Sequence, residues 1–267
     1  MAVSDLRQAC DWFESTLGLK ARDFRNDQGR GMQLDARILV GNECWLHLVQ
    51  NWNPESRVYQ FLHNHGPGLE HIALQTDSIE ADVQHLRDLG VPIFDDRIFH
   101  AADGFEAFVY PDQTLCMTVE LIQPHTSSWT YPAETSQPVS EQLRIQKLDH
   151  VGLAVKDTAA ACERLQSLFG LKATAAAPNP CITLPNDCWL AFADGSSSSV
   201  DSLLSKYGPG LHHIAFETAN LEDDTRRLGA TAQAADAPAD HLGGRPAASV
   251  RPDDAIDTRV ELVQRKS

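Results

Sequence analysis

Short apolar runs alternate with polar or small residues along this chain, and between them apolar positions recur at helical spacing. LDHVGLAV (148–155) reads as a strand leading to Asp157, and an amphipathic helix follows as far as a stop at Gly170. Asp157 suits the cap position because its carboxylate can accept the orphan N–H groups of the first turn. Two or three strands come next, ending in CWLAFADG (188–195). GPGLHHIAFET (208–218) then opens a second unit, with NLEDDTRRLGA (220–230) as its helix and a last strand in TRVELVQ (258–264). Two strand–helix–strands units of this kind can pair into a curled sheet with a cavity in its concave face and helices on the outside.

The pattern occurs twice. GPGLEHIALQT (66–76) matches GPGLHHIAFET at eight of eleven positions. AVSDLRQACDWFESTLGLKA (2–21) matches 154–173 at ten of twenty, NECWLHL (42–48) matches NDCWLAF (186–192), and VELIQ (119–123) matches VELVQ (260–264). A period of this length is a domain-sized module rather than a solenoid unit. Module one is expected over 1–123 and module two over 147–267. The segment 124–146 is expected to be a linker, since 124–142 is rich in Pro, Ser and Thr. Module one's counterpart of His150 would fall before Met1, so its first strand is expected to be missing or truncated.

Composition narrows the function classes. A net charge of −15 repels phosphate backbones, which argues against nucleic acid as a partner. No apolar run reaches a membrane span, and the first residues lack the basic start and apolar core of a signal peptide. The six cysteines (Cys10, Cys44, Cys116, Cys162, Cys181, Cys188) contain no CxxC and read as reduced thiols of a cytoplasmic protein.

Alternation along strands brings out candidate chemistry. His150 shares a face with Gly152 and Ala154, His213 with Ala215 and Glu217, and Glu261 with Arg259 and Val263. Two imidazoles and a carboxylate suit Fe(II), Mn(II), Co(II), Ni(II) or Zn(II), and three ligands on one side leave positions open for substrate or dioxygen. Each side chain alone has a plainer reading, as a hydrogen-bonded core histidine or a solvated strand glutamate. His212 competes with His213, and alternation sends the two to opposite faces. Module one carries Glu70 at the first position and His71 at the second, which favours His213. His100 and His241 are also equivalent, and His241, in the glycine-rich HLGGR, is a candidate general acid/base. His63 and His65 have no counterpart and read as surface residues.

LDHVGLAVKDT, GPGLHHIAFET and VELVQ together resemble the vicinal oxygen chelate (glyoxalase/bleomycin resistance/extradiol dioxygenase) superfamily. The motifs are most similar to its methylmalonyl-CoA epimerase-like and 4-hydroxyphenylpyruvate dioxygenase-like members. The resemblance implies an α+β fold of tandem paired βαβββ modules, each a curled mixed sheet around a cavity with helices outside. It implies metal ligands at His150, His213 and Glu261, and a degenerate set in module one at His47, His71 and Glu120. His47 matches a position that carries an extra ligand in glyoxalase and epimerase relatives; module two has Ala191 there. A three-ligand site favours a non-heme Fe(II) dioxygenase acting on a small substrate chelated through two adjacent oxygens. The alternatives are a glyoxalase- or epimerase-type lyase or isomerase on a redox-silent metal (Mn, Co, Ni or Zn) and a small-molecule binding or resistance protein. With two modules in one chain, a monomer or a homodimer is expected.

Overall fold

In the computed structural model, the helices start and stop where the side-chain chemistry places them. The described residues are all except 28–31, 102–103, 126–142, 175–180, 196–199, 202–203, 206–207, 235–244 and 265–267. Module one comprises α1 (Leu6–Leu17), β1 (Ala21–Asp27), β2 (Gln33–Leu39), β3 (Trp45–Asn51), α2 (Arg57–His65), β4 (His71–Gln75), α3 (Ile79–Asp88), β5 (Phe99–His100), β6 (Gly104–Val109) and β7 (Thr118–Pro124). Module two comprises β8 (Ile145–Ala154), α4 (Thr158–Phe169), β9 (Ala173–Thr174), β10 (Cys181–Thr183), β11 (Trp189–Ala193), β12 (Gly210–Thr218), α5 (Leu221–Leu228), β13 (Ala232–Ala234), β14 (Ala247–Val250) and β15 (Arg259–Gln264).

The repeat extends to the helix caps. Asp5 and its counterpart Asp157 each accept a hydrogen bond from the backbone N–H three residues on, at 2.9 and 3.0 Å. Their helices end at Gly18 and Gly170, both left-handed, with φ of 69° and 64°. Ser78 caps α3, and Asn220, its counterpart, caps α5.

The two larger sheets are mixed, as expected, and the three-stranded one is antiparallel, but none is curled or closed. Module two forms one open sheet of eight strands in the order β13-β14-β15-β12-β8-β11-β10-β9. Closing a sheet requires its two edge strands to pair. Here the edges are β13 and β9, three and two residues long, and among the described residues each pairs with one neighbour only. Module one divides into a three-stranded sheet, β1-β2-β3, and a four-stranded sheet, β4-β7-β6-β5. Between them Ala2 bridges Val49 in parallel and Gly68 antiparallel, as Ala154 does with Ala193 and Gly210. The segment 124–146 expected as linker falls mostly outside the described residues, and β8 begins within it at Ile145.

Apolar burial crosses between the modules. One core joins Phe13, Leu17, Ile38 and Leu48 of module one to Leu148, Phe216, Ile256 and Leu262 of module two. A second joins Ile79, Leu86 and Val119 to Leu153, Leu165 and Phe192. Each half of module one therefore packs on a different part of module two, which sets β8, β12 and β15 in a close-packed frame. No helix among the described residues is long and apolar enough to cross a membrane.

Candidate metal centre

Three adjacent central strands of the eight-stranded sheet, β8, β12 and β15, deliver the site. His213 stands directly across from Gly152 in the register, and Ala215 lies between His150 on one side and Glu261 on the other. The donor atoms of His150, His213 and Glu261 all lie within 4.8 Å of one another, and each residue is 1% exposed. Among the described residues this is the one group of three or more His, Cys, Asp or Glu side chains arranged so. Gly152 is required by this packing, because a Cβ there would overlap the His213 ring.

Small residues surround the cluster. Ala191, opposite Gly152 on β11, is buried and offers no donor at the fourth position. His150 Nε2 lies 2.9 Å from His213 Nε2, and His213 Nε2 lies 3.9 Å from Glu261 Oε2. That Glu261 oxygen is shut off from solvent and has no hydrogen-bond partner. A buried carboxylate oxygen without a donor is costly, and the two Nε2 atoms beside it are both capable of binding a cation. The residues therefore fit a divalent ion, and the cluster is capable of coordinating one.

Outer contacts orient each donor. His150 Nδ1 is 2.7 Å from Asp149 Oδ2, so the imidazole proton sits on Nδ1 and Nε2 is the basic nitrogen. Arg245 grips Asp149 through both carboxylate oxygens, at 2.7 and 2.6 Å, and lies 4.0 Å from Glu217. Hydrogen bonds from His150 and Arg245, working against burial, hold the Asp149 carboxyl well below the usual range. Arg259 Nε donates to Glu261 Oε1 at 2.8 Å, which leaves Oε2 toward the histidines.

Two β-bulges shape these contacts. The β8–β12 register slips at Asp149 and again at His212, each an extra residue without a direct partner. The slip at 212 overturns the expectation from alternation, which sent His212 to the opposite face from His213. Instead His212 Nδ1 lies 2.7 Å from His213 Nδ1, with its own pKa lowered to about 4 by burial and by Arg259. His213 is still the histidine that meets His150 and Glu261.

Module one brings its residues together less completely. His71 Nε2 is 3.4 Å from Glu120 Oε2, and its Nδ1 is 2.5 Å from Glu70. His47 turns instead to Asp35, 3.3 Å away, with its ring centroid 6.5 Å from that of His71. Burial lowers the pKa of His47 to about 4 and raises that of Glu120 to about 7. His241 lies outside the described residues; its counterpart His100 is exposed on β5, with its ring 4.8 Å from that of Phe105. His63 and His65 are exposed in the last turn of α2.

Sequence reasoning missed Arg245 and Asp149. The repeat gave no signal for Arg245, because module one has Gly104 at that position, and the counterpart of Asp149 would precede Met1. A cleft of about 450 Å³ opens beside the site, lined by Arg57, Phe61, Phe94 and Tyr110 from module one and Leu211 and His212 from module two.

Comparison with known proteins agrees with this layout. Two models described as the glyoxalase/bleomycin resistance protein/dioxygenase superfamily match residues 1–110 and 147–251. A triple mutant of 4-hydroxymandelate synthase from Streptomyces coelicolor superposes with a TM-score of 0.70 at 15% identity, over 100% of this chain and 91% of that one. A xylose isomerase-like TIM barrel/4-hydroxyphenylpyruvate dioxygenase fusion protein superposes with a TM-score of 0.57 at 16% identity, over 92% of this chain and 44% of that one. An uncharacterized protein of Synechocystis sp. is 30% identical over 94 residues; the match spans 34% of this chain and 28% of that curated relative's length. At these identities the structural likenesses show the fold alone.

Proposed function

We propose a function from one premise: this chain belongs to the glyoxalase/bleomycin resistance protein/dioxygenase superfamily, as two tandem modules. The reading is a non-heme Fe(II) dioxygenase acting on a small substrate held through two adjacent oxygens. The observation that carries it is the three-residue cluster His150, His213 and Glu261 with Ala191 at the fourth position. Two imidazoles and one carboxylate leave coordination positions for a bidentate substrate and for dioxygen. When bound, an iron ion would supply Lewis acidity and one-electron chemistry. The chain's own residues supply the setting. Asp149 and Arg245 hold the His150 ring, Arg259 holds the Glu261 carboxylate, and Gly152 admits the His213 ring. The cleft reaches His212, whose ring touches His213, and its wall holds Arg57, 3.8 Å from Glu70. His241 is the proposed proton-transfer residue. Module one serves as a supporting module without a complete metal site.

The test is metal analysis of anaerobically purified protein, followed by oxygen uptake with a panel of catechols and 2-oxo acids. Stoichiometric iron with substrate-dependent oxygen uptake is the expected result, and His213→Ala should abolish both. Nickel, cobalt or zinc with proton exchange into substrate and no oxygen uptake would replace this reading with an isomerase or lyase. Tight ligand binding without metal would replace it with sequestration.

A further inference from the structure

The turns NECW and NDCW occupy equivalent places in the two modules, and they meet each other. Asn42 Nδ2 donates to the backbone oxygen of Asn186, its own counterpart, at 2.8 Å, and to that of Leu148 at 3.1 Å. Asn186 Nδ2 in turn lies 3.1 Å from Cys44 Sγ. The Cys188 backbone N–H donates to the Oδ1 of the same Asn186 at 3.3 Å, so one side chain spans Cys44 and its counterpart Cys188, and each thiol acts on the other's acidity. Equivalent residues of two copies touch only near the axis that relates the copies. The two cysteines therefore sit where a bond between them would tie one module to the other. Cys188 is buried in the shared core, while Cys44 is partly open to solvent.

We propose that Cys44 and Cys188 form a peroxide-driven disulfide that locks the two modules together. Cys44 reacts first, because it is the one that solvent reaches. Its thiolate attacks hydrogen peroxide: an S–O bond forms, the O–O bond breaks, and the departing hydroxide takes a proton to become water. The Cys188 sulfur then attacks the Cys44 sulfur. The S–S bond forms, the S–O bond breaks, and the leaving hydroxide departs as a second water with the Cys188 proton. The two thiols lose two electrons in all, and the peroxide gains two. The Cys188 thiol and then the Asn186 amide favour the thiolate of Cys44, holding its pKa below the ordinary value against the opposing effect of burial. A bond between the modules closes a long loop, so it restricts the unfolded chain strongly.

The full chain is treated with hydrogen peroxide in the presence of a chelator, quenched with N-ethylmaleimide, and mapped by mass spectrometry without reduction. The expected product is a linked pair of peptides carrying Cys44 and Cys188, lighter by two hydrogens and released by dithiothreitol. Its melting temperature should rise by about 5–10 °C over the reduced protein. Cys44→Ser and Cys188→Ser should each abolish the link, and Cys116→Ser should leave it intact. In Cys188→Ser, dimedone should trap a sulfenic acid on Cys44. The proposal is overturned if the wild-type chain returns both cysteines as alkylated thiols at a dose that fully oxidises the exposed Cys116. It is also overturned if Cys44 ends as a sulfinic acid with no link. Both of these outcomes are read on the wild-type chain and need no variant to fold.

Discussion

At the scale of single residues, the site depends on what is absent as much as on what is present. Gly152 carries no side chain, and the space this leaves is filled by the His213 ring. Gly152→Ala should push that ring away from His150 and Glu261. Metal affinity should fall at least tenfold, on the order of 1.4 kcal/mol, and stability should drop by about 1–3 kcal/mol from overpacking. Titration with Zn(II) and a melting curve check both; unchanged metal affinity would mean that Gly152 does not shape the site. Glu120 offers a pH-dependent test in module one. Its pKa is raised by burial from the usual 4.5 to about 7. The folded state therefore holds this proton more tightly than the unfolded chain does. The stability it contributes is full below pH 4.5, declines between 4.5 and 7, and is gone above 7. Glu120→Gln, neutral throughout, should exceed the wild type by ~1–3 kcal/mol at about pH 8, with the gap closing below about pH 4.5. Urea denaturation at the two pH values measures it.

At the scale of elements, helices with side-chain caps were legible in the sequence, while α2, whose Ser56 makes no cap bond, and the strand irregularities were not. Asp157, Gly170 and the apolar spacing between them announce α4, because caps act locally and require particular side chains. Asn220 caps α5 in the same way, accepting from Asp223 N at 3.0 Å. Asn220→Ala should cost about 1 kcal/mol in chemical denaturation, without changing metal content. The bulges at Asp149 and His212 are different. A bulge is a mismatch between two strands, so neither strand shows it alone. For that reason alternation misplaced His212, and nothing in the local sequence revealed that Asp149 would hold His150.

At the scale of the whole molecule, the two modules share their cores. Phe216, on the strand that carries His213, is buried in the same cluster as Phe13 of α1. Phe216→Ala should cost about 3–5 kcal/mol. The two modules should still unfold in one transition, seen as coincident fluorescence and circular dichroism curves; two separate transitions would show that the cores are independent. The sequence by itself determined the duplication and the helix that Asp157 caps and Gly170 ends, while its resemblance to a known family pointed to His150, His213 and Glu261. The duplication and the helix follow from periodicity, from side chains acting on their own neighbours and from comparing one copy with the other, and that comparison also chose His213 over His212. Only the tertiary structure decided that the sheets stay open, that Arg245 reaches Asp149 and that Cys44 meets Cys188. Each of these joins segments far apart in the chain, and the pairing of distant segments is set by packing and register, which no local pattern encodes.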